Sequence, residues 1–282
     1  MTLAARLSEP EPLIAVELRP PRAELEQGLS MDSWMAMHRA LSRLIRRDTA
    51  LFLTDNAVGA REEENLHHLG CNLEEDVPKD RICPFLTAKH TLEYCLWYVD
   101  RAAAAGHSAL TVLGGDRTVG APRCLPHAYL LRQKIRQRHP DLALGGWANP
   151  YEDAGAQVRY LLDDGVTADF YLTQIVSHHD LTPVERFREV AADRGLALPG
   201  AFGVFYYRSA NPQTLATLAR FMRVPAAEIT RDFERGLTAD EICARTIRAL
   251  RDLGIRHVYV SNFKPDDAPE RLERIGALVG QS

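Results

Sequence analysis

The chain has 282 residues, of which 46% are hydrophobic and 26% charged, with a formal net charge of -4. This length supports one large α/β domain or two smaller ones, and the slightly acidic balance gives no support for a broad basic surface that binds nucleic acid or a membrane. No apolar run approaches the roughly 20 residues needed to span a bilayer, and residues 1–12 lack a signal-peptide core, so we expect a cytoplasmic protein.

Short apolar segments typical of buried strands alternate with segments of helical spacing along the chain. Eight strands are predicted, at residues 13–18, 50–54, 82–87, 109–113, 142–147, 168–174, 200–205 and 257–261. Helical spacing is clear from Trp34 to Ile45 and from Thr91 to Ala105. An extra helix is predicted over about 225–235, before the last strand.

Three helix starts carry recognisable capping residues. Thr182, followed by Pro183 and by Glu185 three positions later, predicts a capping box with proline at the first helical position. Thr238 and Glu241 predict a second capping box, and Asn211 precedes a proline in the same way.

Eight strand units followed by helices predict a (β/α)8 TIM barrel that occupies residues 1–282 as a single domain. The alternative is an open doubly wound sheet. No G-x-G-x-x-G follows the first strand and no G-x-x-x-x-G-K-[ST] occurs, so the barrel is favoured.

The cysteine and histidine patterns predict neither a disulfide framework nor a metal site. The five cysteines form no C-x-x-C pair and are predicted to be buried free thiols. His178-His179-Asp180 has the residue types of a metal site, but neighbouring histidines on a loop are expected to point apart. We therefore predict no metal ligands.

Active sites of such barrels lie at the carboxyl ends of the strands. Several strands of this sequence end on polar or aromatic residues or on a glycine, namely Glu17, Thr54, Asn56, Thr87, Gly115, Asp116, Trp147, Gln174, Tyr206 and Ser261. If the strands form one barrel, these side chains meet at one mouth.

Glu17 is the most informative of these residues. It stands inside the apolar strand Val16-Glu17-Leu18, where desolvation raises the pKa of a carboxyl group and suits it to act as a general acid. The alternative is an internal ion pair with an arginine such as Arg19, and the residues alone favour neither.

Asp116 and Gln174 also have two interpretations each. Asp116 follows two glycines, where the backbone can approach a ligand closely, or it caps a turn. Gln174 offers an acceptor and two donors that can bind the edge of a heterocycle, or it is a hydrogen-bonded amide of the core.

Six short motifs, in order along nearly the whole chain, resemble those of the methylenetetrahydrofolate reductase family. They are Glu17-Leu18-Arg19-Pro20-Pro21, Pro84-Phe85-Leu86-Thr87, Leu113-Gly114-Gly115-Asp116, the segment 168–174 ending in Thr173-Gln174, Pro199-Gly200, and the segment 257–262. Each motif is weak alone, and the six in register are specific.

The resemblance implies reduction of 5,10-methylenetetrahydrofolate to 5-methyltetrahydrofolate. Glu17 matches the family's general acid, Asp116 the aspartate that contacts the pterin and stabilises positive charge, and Gln174 the glutamine that binds folate or nicotinamide. With these we expect Tyr206 to contact the substrate. Expected cofactor contacts are Thr54, Asn56, Thr87, Gly115, His127 and Trp147, although Trp147 also suits packing at the barrel rim.

Several positions depart from the flavin-binding members of the family. Gly114 stands where they have arginine, Phe85 where they have histidine, and His127 where tyrosine is frequent, and the loop after Trp147 is shorter. This pattern is similar to the flavin-independent branch described from actinobacteria, in which NADH or NADPH would transfer hydride directly.

Two other functions are kept as alternatives. One is an FAD-dependent reductase with ping-pong kinetics, and the other is a barrel that binds a reduced pterin without reducing it. Arg117, Arg123 and Arg208 are candidate contacts for the 2′-phosphate of NADPH, and assembly as a homo-oligomer is left open.

Overall fold

The computed structural model describes residues 1–21, 27–47, 49–54, 78–116, 120–162, 165 and 167–280. Eight strands lie in this part of the chain: β1 (Leu13–Leu18), β2 (Leu51–Leu53), β3 (Ile82–Thr87), β4 (Ala109–Leu113), β5 (Ala143–Ala148), β6 (Phe170–Val176), β7 (Gly200–Phe205) and β8 (His257–Ser261). They form a closed parallel barrel in chain order, with β8 paired to β1. The predicted (β/α)8 barrel is confirmed.

The described helices surround this barrel. They are α1 (Leu3–Ser8), α2 (Gln27–Ile45), α3 (Leu92–Ala104), α4 (Ala128–Arg138), α5 (Ala154–Leu161), α6 (Thr182–Asp193), α7 (Pro212–Leu218), α8 (Ala226–Glu234), α9 (Ala239–Asp252) and α10 (Ala268–Gly280). Helix α8 is the extra helix predicted before the last strand. The predicted site residue Asn56 and Cys71 fall in 55–77, outside the described residues. Within the described ranges, no helix is both long and apolar enough to cross a bilayer.

Alternate side chains of the strands fill the barrel interior, as the two-residue period of a strand requires. The interior cluster contains Leu13, Ala15, Phe52, Cys83, Phe85, Ala109, Phe170, Leu172, Ala201 and Tyr259. Leu3 and Leu7 of α1 pack into the same cluster. Because α1 directly precedes β1, it closes the barrel at the amino-terminal ends of the strands. The intervening strand residues pack outward under the helices.

Two glycines in the strands make room for the largest interior rings. A Cβ atom on Gly145 would lie 2.6 Å from the ring of Phe170 and 2.7 Å from Thr111 Oγ1. A Cβ atom on Gly203 would lie 2.5 Å from the Tyr259 hydroxyl oxygen. In the barrel interior, each of these large rings therefore packs against a glycine on a neighbouring strand, which leaves the space that the ring fills.

The helix caps agree with the sequence in two of three cases. Thr238 and Glu241 form the predicted capping box of α9, and Asn211 Oδ1 accepts from Thr214 N at 3.1 Å. The capping box predicted at Thr182 is wrong. Glu185 N donates instead to the Leu181 carbonyl at 3.0 Å, so α6 has a backbone acceptor where the Thr182 side chain was expected.

Replacing Gly145 with alanine should destabilise the protein by about 1–3 kcal/mol, since the added methyl meets Phe170 and Thr111, which the closed barrel holds in place. The matched control is Gly276→Ala in α10, where an added Cβ meets nothing within 4 Å. That variant should be stabilised by up to about 1 kcal/mol through helix propensity. Urea unfolding of both variants checks this, and equal stability of the two would contradict the packing described.

Candidate functional site

The carboxyl ends of the strands lie at the end of the barrel opposite α1. Glu17 continues the inward phase of Leu13 and Ala15 on β1, and Ser261 continues that of Tyr259 on β8. Their side chains meet, with Ser261 Oγ donating to Glu17 Oε1 at 2.9 Å. This pair is the polar centre of the mouth.

The Glu17 carboxyl group is held in a desolvated setting. Protein atoms enclose it although the residue as a whole is only half-buried, and this burial raises its pKa to about 7, with the Ser261 hydrogen bond acting in the opposite direction. Arg19 is exposed, and among the described residues Glu17 makes no ion pair. The ion-pair alternative is therefore wrong, and the carboxyl group can hold a proton near neutral pH.

The position of Ser261 is fixed by the residue that follows it. Asn262 has φ +79°, an uncommon conformation for a residue other than glycine. Its Nδ2 donates to the Tyr206 carbonyl at 3.0 Å, and its Oδ1 accepts from Arg208 Nη2 at 2.6 Å. Asn262 thus ties the end of β8 to the segment after β7, and it orients the hydroxyl that binds Glu17.

Gln174 lies within β6 rather than at its end, because the strand continues to Val176. The register with β7 shifts between Leu172 and Ile175, so Thr173 and Gln174 form a β-bulge, a feature frequent beside active sites. Gln174 Oε1 accepts from Ile175 N at 2.9 Å. Its Nε2 donates to no group in the described part of the chain, which leaves this donor available to a ligand.

The turn after β4 presents Gly115 and Asp116 at the same end of the barrel. Gly115 has φ +71°, and its carbonyl accepts from Arg123 Nη2 at 2.5 Å. The Arg123 guanidinium fills the space beside Gly114, 2.7 Å from where a Cβ atom would lie. Asp116 is half-buried and stands directly before residues 117–119, which are outside the described residues together with the candidate Arg117.

Trp147 and Thr87 also take inward positions at the ends of their strands. Trp147 packs against the interior cluster and meets the ring of Phe85 edge-on, with ring centroids 6.3 Å apart. Thr87 is fully buried, and half-buried Thr54 donates its backbone N–H to the Leu18 carbonyl at 3.1 Å. Trp147 therefore contributes a partly exposed aromatic surface to the mouth.

Two predicted site residues do not join this group. Tyr206 is buried on the helix-facing side of the barrel, where its hydroxyl donates to Asp240 Oδ1 at 2.7 Å. His127 precedes α4, and its ring packs with Tyr129 and Tyr160, at centroid distances of 5.4 and 4.9 Å. The expected contact of Tyr206 with substrate is wrong, since its ring is buried against the helices. The expected contact of half-buried His127 with the cofactor stays a prediction.

The sequence interpretation missed Lys89. It follows β3 and is only 4% exposed, so the protein buries a lysine close to the carboxyl end of the barrel. It lies in the turn after β3, beyond the last strand residue, so the two-residue strand period did not identify it.

The expectation that His178 and His179 point apart is also wrong. Their ring centroids lie 3.9 Å apart, and His179 Nε2 lies 3.1 Å from Asp232 Oδ2 of α8. Asp180 is bound elsewhere, to Arg223 at 2.9 Å. A turn closed by a bridge between Ser177 and Asp180 brings the two histidines to the same side. Nothing in the sequence links them to Asp232.

The sequence matches no family model and no curated protein. Solved structures similar to the chain include a protein of Aquifex aeolicus VF5, with a TM-score of 0.51, 11% identity, and coverage of 98% of this chain and 94% of that one. They also include QR15, an aldolase, with a TM-score of 0.49, 10% identity, and coverage of 94% and 96%. A putative deoxyribose-phosphate aldolase from Toxoplasma gondii ME49 has a TM-score of 0.47, 10% identity, and coverage of 99% and 96%. At these identities the likeness concerns the fold alone.

Glu17→Gln should remove a pH dependence of stability. The pKa of Glu17 is about 7 in the folded protein and 4.5 as a free group, so the folded state keeps a proton that the unfolded state loses. Wild-type stability should fall by roughly 2–3 kcal/mol between about pH 4.5 and 7 from this group, then level off.

The difference in unfolding free energy between Glu17→Gln and wild type should grow over that interval. Urea unfolding at pH 5 and pH 8 measures it, with the exposed Glu152→Gln as the control for loss of one negative charge. A difference that stays constant with pH for Glu17→Gln would show that the carboxyl group is not desolvated.

Proposed function

We propose that the chain is an enzyme, an NAD(P)H-dependent reductase that converts 5,10-methylenetetrahydrofolate to 5-methyltetrahydrofolate. The observation that carries the proposal is the Glu17 carboxyl group, enclosed at the barrel mouth with a pKa of about 7. Such a group can hold and deliver a proton near neutral pH, as opening of the methylene bridge requires. The six motifs that resemble the reductase family support the choice of substrate.

The proposed reaction uses Glu17 first. Its proton goes to a nitrogen of the methylene bridge, one C–N bond breaks, and the other nitrogen and the carbon form an iminium ion. Asp116, on the turn after β4, stabilises that positive charge. The nicotinamide supplies a hydride to the iminium carbon, which becomes the methyl group, and NAD(P)⁺ is released.

Two other groups are assigned to binding. Gln174 Nε2, which has no donor role within the described chain, donates to the pterin or to the nicotinamide amide. The half-buried ring of Trp147 stacks on one of the two flat rings. Arg123 and Arg208 already donate to Gly115 and Asn262, so neither gives a reason to prefer NADPH to NADH.

The described residues fit a bound FAD poorly, which favours direct transfer. Phe85 is buried against Trp147 and Phe52, where the flavin-binding pattern has a histidine. The Arg123 guanidinium fills the space beside Gly114. A larger side chain at position 114 would therefore clash with Arg123 in its present position. The histidine of the flavin-binding motifs is thus replaced by an interior ring, and the arginine by a glycine whose neighbouring space Arg123 fills.

Glu17→Gln should lower kcat for methylenetetrahydrofolate reduction by about 10²- to 10⁴-fold, the usual effect of removing a general acid. In the wild type, kcat/KM should fall as pH rises through about 7, because Glu17 must be protonated to act. The variant should lose that decline. Folate binding measured by fluorescence controls for folding, and wild-type turnover by the folded variant would remove Glu17 from its role.

The hydride donor can be tested separately on the wild-type protein. We expect no flavin absorption between about 350 and 500 nm in the purified protein, and initial-rate lines that intersect, as for a ternary complex. A yellow protein with parallel lines would support the FAD-dependent alternative. Folate binding without oxidation of NADH or NADPH would support the barrel that binds a pterin without reducing it.

A further inference from the structure

A second group of side chains, all potential metal ligands, lies outside the mouth, between the loop after β6 and the surrounding helices. His178 and His179 come from that loop and Asp232 from α8. One ligand atom from each residue lies within 4.8 Å of the other two. Neither the proposed reduction nor any residue assigned to it uses this group.

The distances among these atoms suit a common bound ion. His179 Nε2 and His178 Nε2 lie 3.1 and 3.9 Å from Asp232 Oδ2. A tetrahedral ion with nitrogen and oxygen ligands at about 2.0–2.1 Å separates neighbouring ligand atoms by roughly 3.3 Å. Both distances from Asp232 Oδ2 are therefore close to that spacing, and one ligand atom from each of the three residues lies within 4.8 Å of the others.

His178 has a hydrogen-bond partner on the ring nitrogen that faces away from Asp232. The Thr246 hydroxyl oxygen lies 2.8 Å from His178 Nδ1 and 3.3 Å from the Ile242 carbonyl. When the hydroxyl donates to the carbonyl it accepts from Nδ1, and Nε2, 3.9 Å from Asp232 Oδ2, then carries the lone pair. A protein acceptor on the far nitrogen is the usual support of a metal-bound histidine.

The buried atoms at the centre lack hydrogen bonds. Asp232 is 5% exposed, and both its Oδ2 and His179 Nε2 are buried without a hydrogen bond to the described residues, although they lie 3.1 Å apart. A buried carboxylate oxygen 3.1 Å from an imidazole nitrogen without a hydrogen bond is costly unless a positive charge, a proton on the imidazole or a bound metal ion, neutralises it. Arg223 supplies no such cation, because it pairs with Asp180 at 2.9 Å.

We propose that His178, His179 and Asp232 bind one divalent transition-metal ion of the zinc class, which fastens the loop after β6 to α8 and α9. Two imidazoles and one carboxylate are ligands that zinc accepts readily, and a fourth position remains for water or another small ligand. Because the ligands come from separate elements, binding of the ion stabilises the folded chain.

The test uses the full-length chain without a histidine tag, stripped with chelator and titrated with Zn²⁺. One equivalent should remain after desalting, measured by elemental analysis, and the Tm should rise by several degrees as the site fills. Co²⁺ in place of Zn²⁺ should give the visible absorption of a low-coordinate nitrogen and oxygen site, and Zn²⁺ should displace it. Absence of bound metal, or of the Co²⁺ spectrum in the wild type, would overturn the proposal.

Matched variants locate the ion. Asp232→Asn and His179→Gln keep the side-chain size and should weaken Zn²⁺ binding at least about tenfold. Asp180→Asn, next to the histidines but paired with Arg223, should bind Zn²⁺ as the wild type does. If either ligand variant fails to fold, the other and the wild-type Co²⁺ spectrum still decide the matter. Wild-type affinity in both ligand variants would refute the site, as would an equal loss in Asp180→Asn.

Discussion

The buried carboxyl group of Glu17 is the constraint on which the mouth of the barrel depends. Its neighbours inside the barrel are mainly apolar, and the Ser261 hydroxyl is its hydrogen-bond partner among the described residues. One hydroxyl offsets only part of the cost of desolvating a carboxylate. The pKa of Glu17 is therefore raised to about 7, and the group keeps its proton below that pH. The direction of that hydroxyl, and hence the setting of Glu17, depends on Asn262 and its two hydrogen bonds across the end of β7.

The same carboxyl group is connected to Gln174 through Tyr259. Burial raises the pKa of the Tyr259 hydroxyl well above its usual range, and the charge of Glu17 adds to this effect, so the hydroxyl remains a donor. It donates to the Thr173 carbonyl in the bulge of β6, across the space that Gly203 leaves open. The bulge that turns Gln174 is therefore held from β8, and the acid and the amide belong to one packed unit.

The barrel was predictable because its physical causes are local. Strands buried on both faces are apolar throughout, and their polar last residues mark the mouth, so Glu17 was identified from its neighbours in sequence. The bulge at Gln174 was not predictable, since it depends on Thr173 bonding to Gly203 on the next strand. Tyr206 was misplaced although the alternation of β7 continues to it: Phe202, Val204 and Tyr206 face the helices, whereas Ala201 and Phe205 face the interior. The pairing of His179 with Asp232 joins segments that no local pattern relates.

Thr173 of β6 and His178 of the loop that follows it make hydrogen bonds on opposite sides of the strand. Tyr259 fixes Thr173 from inside the barrel, while His178 reaches outward to Thr246 of α9. Between them the strand runs from Thr173 to Val176 and includes Gln174. An ion at the proposed outer site would hold the loop that directly follows this segment. Such a constraint would suit the proposed reductase, in which two flat rings lie at hydride-transfer distance.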